Sequence, residues 1–115
     1  MNPYVITEKD LTKSIRQLLK TLGVFHWKAW QGMGSTPGVP DIVGICPGTG
    51  RFLGIEVKRP RSKLSPHQER FINAINNAGG LAFVAYSVDD VIRGLNLQDR
   101  FLNFDGEIVK KPDLR

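Results

Sequence analysis

The fold is decided by residues 38–58, which read GVPDIVGICPGTGRFLGIEVK. Two short apolar runs, IVGI and FLGI, flank a turn that is too short for a crossover, so we predict an antiparallel hairpin. Side chains alternate between the faces of a strand, which puts Glu56 and Lys58 on the same face. Asp41 begins the neighbouring strand. Two carboxylates and one ammonium group are therefore expected to lie within reach of one point.

These three charges suit metal-assisted hydrolysis of a phosphodiester bond. Magnesium takes oxygen ligands, commonly one or two carboxylates plus phosphate oxygens and waters. A lysine beside the metal can orient or activate a water molecule. The alternative is that Asp41 is a turn residue and that Glu56 and Lys58 form a solvated surface pair, because this spacing alone is common by chance.

The surrounding residues favour the first interpretation. The chain resembles the VRR-NUC family, a branch of the PD-(D/E)XK nuclease superfamily, and in particular its stand-alone viral and bacterial members. The similarity extends from about Thr7 to about Gly94. It is carried by three segments: Gly38-Val39-Pro40-Asp41, Glu56-Val57-Lys58 and Leu64-Ser65-Pro66-His67-Gln68.

The resemblance implies a role for each residue of the site. Asp41, Glu56 and the backbone carbonyl of Val57 would bind Mg²⁺ or Mn²⁺, and Lys58 would align or deprotonate the attacking water. In this family a glutamate at the start of the first helix and a glutamine at the start of a later helix join the active site. The matching residues are Glu8, which could hold a second metal ion or the water, and Gln68.

Hydrophobic spacing and turn residues place the remaining elements. We expect an α/β fold with a PD-(D/E)XK nuclease-like mixed central sheet flanked by helices, in the order αβββαβ. The predicted elements outside the hairpin are a helix from Thr7 to Leu22, a strand from Val24 to Trp30 with Phe25, Trp27 and Ala29 on its buried face, a helix from Ser65 to about Ala78, a buried strand from Leu81 to Tyr86, a helix from Val88 to Gly94, and a tail hairpin around Asp105-Gly106.

Composition is that of an ordinary globular protein. A chain of 115 residues predicts one domain, 1–115, with a core at about 7–94 and an extension at 95–115. The net charge of +5 favours a polyanionic partner, although many basic proteins are simply soluble.

The single cysteine, Cys46, is expected to be a buried structural thiol. No apolar run is long enough to span a membrane, so we expect a cytoplasmic protein of a bacterial cell or a virus-infected host cell.

A basic segment follows Lys58 and could form a phosphate-binding rim around the site. Trp30 offers a stacking surface for a base, or else packs against a partner. The loop at 31–37 either closes over the substrate or is an ordinary connector. His67 either contacts DNA or is an ordinary solvated histidine in the first turn of its helix. The predicted DNA-binding residues are Lys28, Arg59, Arg61, Lys63 and His67.

These observations favour a metal-dependent, structure-selective DNA endonuclease. A stand-alone domain of this family resembles the dimeric Holliday-junction resolvases, so we expect branched DNA as the substrate and a homodimer as the active state. Two alternatives stay open. One is a nicking, flap or restriction-type nuclease of the same fold, and the other is a non-catalytic DNA-binding accessory protein.

Overall fold

The computed structural model describes residues 6–95, 100–102 and 108–110, which form three helices and six strands. Their order along the chain confirms the predicted αβββαβ core, followed by a third helix and two further strands. The elements are α1 (Glu8–Thr21), β1 (His26–Lys28), β2 (Ile42–Ile45), β3 (Phe52–Val57), α2 (Pro66–Asn77), β4 (Leu81–Ala85), α3 (Val88–Gly94), β5 (Arg100–Leu102) and β6 (Ile108–Lys110).

Polar caps and a glycine set the helix ends where the sequence predicts them. Thr7 Oγ1 accepts a hydrogen bond from the backbone N–H of Asp10 at 3.0 Å, which starts α1. Gly23 follows α1 with a φ of +74°, a left-handed conformation that glycine adopts without steric cost. Ser87 caps α3 in the same way as Thr7 caps α1. In the described residues, no helix is long and apolar enough to cross a membrane.

The four strands of the central sheet lie in the order β1-β2-β3-β4. The first three are antiparallel, and β2 pairs with β3 so that Ile42 lies opposite Ile55 and Ile45 lies opposite Phe52. This register confirms the predicted hairpin. β4 pairs with β3 in parallel, because α2 carries the chain back across the sheet between them. The sheet is therefore mixed, as predicted.

Helices cover both faces of this sheet. Because side chains alternate along β3, Leu53, Ile55 and Val57 enter the core under α1 and α3, and its single charged residue, Glu56, lies on the side of α2. The core under α1 and α3 includes Leu11, Ile15, Leu19, Ile42, Cys46, Leu53, Ile55, Val57, Ala85 and Val91, and the core under α2 is built on Ile72, Ile75 and Ala82. Cys46 is buried in the first core, which confirms the expected structural thiol.

The strand at the edge of the sheet differs from the prediction. β1 spans three residues rather than seven, and the predicted buried face is wrong for Phe25 and Trp27, which are 68% and 45% exposed. Ala29 alone of that face is buried. The reason is that α2 packs over β3 and β4 and leaves the same face of β1 uncovered. The rings of Phe25 and Trp27 pack edge to face instead, with centroids 5.8 Å apart.

The tail forms the hairpin that the sequence predicts. β5 and β6 pair in an antiparallel arrangement, with Phe101 opposite Val109. The turn residues Asp105 and Gly106 lie outside the described residues, and so does the end of the chain after Lys110.

Candidate active site

The five side chains predicted to form the site line one cleft of about 420 Å³ between the ends of β2 and β3 and the start of α2. The sequence separates them widely, but the sheet and two helix starts bring them together. They are Glu8, Asp41, Glu56, Lys58 and Gln68.

Asp41 is fixed at the start of β2 by two backbone contacts. Its Oδ2 accepts a hydrogen bond from the backbone N–H of Val57 at 2.7 Å. Its carbonyl oxygen accepts one from the N–H of Ala29 at 2.9 Å, which continues the pairing of β1 with β2. The carboxylate of Asp41 is thus held against the end of β3, beside the backbone that the family resemblance assigns to the metal site.

Glu56 is a buried carboxylate, with only 2% of its surface exposed. Its Oε1 accepts a hydrogen bond from Gln68 Nε2 at 3.1 Å. Its Oε2 is buried and has no hydrogen-bond partner among the described residues. Such an oxygen is costly to leave unpaired in a folded protein, which marks this position as one built for something other than stability.

The surroundings of Glu56 disfavour its charge. The pKa of Glu56 is raised to about 8. Burial of the carboxyl is the largest cause, and the charge of Asp41 and a proton that the two carboxyls can share add to it. Lys58 acts in the opposite direction and Glu8 adds to the increase. Two ionised carboxylates cannot hydrogen bond to each other, so Oε2 gains a partner there only by holding a proton. Among the described residues that line the cleft, Lys58 is the only Lys or Arg beside the three acidic side chains Glu8, Asp41 and Glu56.

Gln68 has two roles at once. Its Oε1 accepts a hydrogen bond from the N–H of Ser65 at 2.8 Å, and Ser65 Oγ accepts one from the N–H of Gln68 at 3.2 Å. This capping box starts α2, as predicted. Because its carbonyl oxygen faces Ser65, its amide NH₂ must face Glu56. The helix cap therefore fixes the orientation of a site residue.

Lys58 and Glu8 complete the cleft from two other elements. Lys58 directly follows β3, and its N–H donates to the carbonyl of Ala85 at 3.1 Å, so the backbone here stays aligned with β4. Glu8 is the first residue of α1, and its Oε1 accepts a hydrogen bond of 3.4 Å from the N–H of Arg59. This contact joins the start of α1 to the segment after Lys58.

The donor groups of this cleft fit a hard divalent cation. Within the ranges that the structure describes, no three His, Cys, Asp or Glu side chains form a metal-binding group. The carboxylates of Asp41 and Glu56 line the cleft, and with the carbonyl of Val57 that the family resemblance adds they would make the small protein ligand set typical of Mg²⁺. The unpartnered buried oxygen of Glu56 is the observation that such an ion would explain.

The predicted DNA-binding residues are exposed but do not form one group. His67 lines the cleft itself. Arg59 and Arg61 line a neighbouring depression between α1 and the connection from β4 to α3. Lys28 and Lys63 are not among the residues that line the cleft.

The loop before β2 contributes cleft residues that the sequence pattern does not identify. Gln31, Ser35 and Thr36 line the cleft, together with the end of the loop at 37–39. Gln31 Nε2 donates a hydrogen bond to the carbonyl of Val39 at 2.9 Å and so closes the loop on itself. Its glycine-rich composition indicated a loop next to the site, but no periodicity could show which side chains face the cleft.

Gly38 is predicted to be essential for the packing of this loop. It has a φ of +84°, and a Cβ there would lie 2.2 Å from the backbone oxygen of His67 in α2. We expect Gly38→Ala to lower the free energy of unfolding by about 2–5 kcal/mol, the sum of backbone strain and overpacking. Gly48→Ala is the matched control, because Gly48 has a φ of +81° but nothing within 4 Å. Chemical denaturation of both variants checks this, and equal losses would contradict it.

The fold and the cleft together define an α/β domain of the nuclease type. The sequence profile of the VRR-NUC domain matches residues 1–89. A solved structure described as a VRR_NUC domain is 30% identical, covers 75% of this chain and 94% of its own, and superimposes with a TM-score of 0.62. A search among curated proteins found no match. The chain belongs to the VRR-NUC domain family, which confirms the family and fold predicted from its sequence.

Proposed function

We propose that this protein is a Mg²⁺- or Mn²⁺-dependent endonuclease that hydrolyses phosphodiester bonds in branched DNA, in the manner of a Holliday-junction resolvase. The observation that supports it best is the cleft in which Asp41, Glu56 and Lys58 converge, with one buried oxygen of Glu56 left unpartnered. Membership of a nuclease-type family supports DNA as the substrate.

Each residue of the cleft has a distinct part in this proposal. Asp41 and Glu56, with the carbonyl of Val57, hold the cation, and Gln68 keeps Glu56 in place through its amide. When bound, the cation supplies positive charge that neutralises the two carboxylates and polarises the phosphate. Lys58 aligns or deprotonates the attacking water, and its positive charge stabilises the negative charge that develops around phosphorus. Glu8 orients the same water or holds a second ion.

Homodimerisation and a cytoplasmic location belong to the same proposal. Two sites related by a two-fold axis suit a junction whose strands are symmetric. Burial raises the pKa of the Cys46 thiol, against a smaller opposing effect of Arg51, and so keeps it unreactive. Reduced buried thiols of this kind suit the cytoplasm of a bacterium or of a virus-infected cell.

A cleavage assay on three DNA substrates tests the proposal. A labelled four-way junction, a flap and a linear duplex of shared sequence are incubated with Mg²⁺, with Mn²⁺ and with chelator. We expect metal-dependent, paired nicks in the junction and little cleavage of the other two. Comparable cleavage of all three would favour a nicking, flap or restriction-type enzyme, and binding without cleavage in either metal would favour an accessory protein.

A further inference from the structure

Trp30 is an exposed aromatic ring held in a fixed position. Its surface is 71% exposed. Its indole Nε1 donates a hydrogen bond to the carbonyl of Met33 at 2.9 Å, so its polar group already has a partner. The ring lies over Gly32, since a Cβ on that residue would be 2.3 Å from ring atom Cζ2. The indole therefore packs closely against the backbone of Gly32, and most of the ring remains exposed.

The backbone places this ring next to the candidate active site. Ala29, the residue before Trp30, pairs with Asp41 through its N–H. Gln31, the residue after it, lines the cleft. Lys28 is exposed two residues earlier on β1 and brings positive charge to the same strand end. The strand end that carries this hydrogen-bonded ring and this cation thus continues directly into the loop that lines the cleft of the three predicted catalytic charges.

Elementary chemistry indicates what such a ring binds. The N–H of this indole already has a hydrogen-bond partner. The exposed ring therefore gains the most binding energy from contact with another flat π surface. Nucleobases offer that surface, but in a continuous duplex both faces of each base are covered by its neighbours. Only an unstacked base, at a gap, a bulge or a branch point, is free to stack on a side chain.

We propose that Trp30 is a stacking platform for an unstacked nucleobase near the scissile phosphate, and that it contributes to the choice of branched over continuous DNA. This inference depends on the proposed nuclease function, because it names a determinant of that function's substrate. The ring is fixed before DNA arrives, so little conformational freedom is lost when a base stacks on it.

Binding measurements with chelator present test the platform without interference from cleavage. Two DNAs are compared: a duplex with a short single-stranded gap and a fully paired duplex of equal length. We expect Trp30→Ala to reduce the ratio of the two affinities about tenfold, the typical effect of losing one base–aromatic stack. Trp30→Phe should restore most of the ratio. Phe25→Ala is the matched control, since Phe25 is also an exposed aromatic on this edge but neither of its chain neighbours lines the cleft.

Fluorescence gives a second, direct measurement. The chain has two tryptophans, so Trp27→Phe leaves Trp30 as the only indole. We expect the gapped duplex to quench the emission of this variant more strongly than the paired duplex does. Adding Gly32→Ala should reduce that difference, because the new methyl group would displace the ring without removing it.

The outcomes separate this inference from the proposed function. Equal affinity ratios for Trp30→Ala and the parent, or equal quenching by the two DNAs, would overturn the platform while leaving a nuclease that cleaves. If the parent protein does not cleave DNA but still shows the affinity ratio and quenching expected for stacking, the proposed nuclease function is overturned and the platform is not. Sedimentation compares the molecular mass of Trp30→Ala with that of the parent. A lower mass for the variant would show that a second copy of the chain covers the ring in the parent, and this result also overturns the platform.

Discussion

Replacing Lys58 with alanine is expected to abolish DNA cleavage while leaving DNA binding largely intact. Among the described residues that line the cleft, Lys58 is the only Lys or Arg. No other Lys or Arg among these lining residues can replace its permanent positive charge near the phosphate of the proposed substrate. We expect a rate loss of at least about 100-fold, the usual effect of removing one preorganised electrostatic group from an active site.

Binding should change little because affinity for DNA is distributed over the surface. The chain has 16 Lys and Arg residues, and each phosphate contact contributes only part of the total. With chelator present, we expect the affinity of Lys58→Ala to fall by less than about fivefold. Gel-shift titration and single-turnover cleavage on the same junction measure the two effects separately.

Two further variants make the result specific to this lysine. Lys20→Ala removes the same charge from the exposed last turn of α1, and it should cleave like the parent. Lys58→Arg keeps a positive charge but replaces a compact ammonium with a wide planar group, so it should regain little activity. Turnover by Lys58→Ala within a few fold of the parent would remove Lys58 from the mechanism.

The strand pattern was sufficient to predict that Asp41, Glu56 and Lys58 lie close together. A short turn between two apolar runs fixes the hairpin, and the two-residue alternation of strands then places Glu56 and Lys58 on one face beside Asp41. These are local rules, and the observed register of β2 and β3 agrees with them. The caps of α1 and α2 were predictable for the same reason.

Features that depend on tertiary packing were not predictable from local pattern. Glu8 and Gln68 reach the cleft because two helices meet the end of β3, and only the family resemblance identified them. The exposure of Phe25 and Trp27 follows from where α2 lies on the sheet, which no alternation of side chains encodes. The unpartnered oxygen of Glu56 likewise results from the closure of several elements around one carboxylate.

Replacing Glu56 with glutamine is expected to stabilise the metal-free protein at high pH and to abolish its response to metal. In the folded protein the pKa of Glu56 is about 8, against 4.5 in an unfolded chain. The folded state therefore holds more protons between these values, and its stability falls as pH rises through that window. The full contribution is present below about pH 4.5 and lost above about pH 8, a change on the order of 5 kcal/mol.

Glutamine removes this titration without changing the shape of the side chain. Its oxygen can still accept the hydrogen bond from Gln68, and its amide NH₂ can donate to Asp41. In chelator, the parent should lose on the order of 10 °C in Tm between pH 5 and pH 9 relative to Glu56→Gln. Starting at pH 5 avoids Asp90, which burial alone would push up but whose pKa is lowered by hydrogen bonds from Tyr86 and Arg93.

Metal should reverse the order of the two proteins. A divalent cation binds the ionised carboxylate and displaces its proton, so at pH 8 added Mg²⁺ or Mn²⁺ should raise the Tm of the parent. Glu56→Gln should gain almost nothing and should not cleave DNA, because a neutral amide is a poor ligand for a hard cation. Glu69→Gln removes an exposed glutamate from the first turn of α2 and should behave like the parent throughout. Parallel pH profiles for the parent and Glu56→Gln in chelator would show that Glu56 is not the buried, proton-binding carboxylate on which the proposed metal site depends.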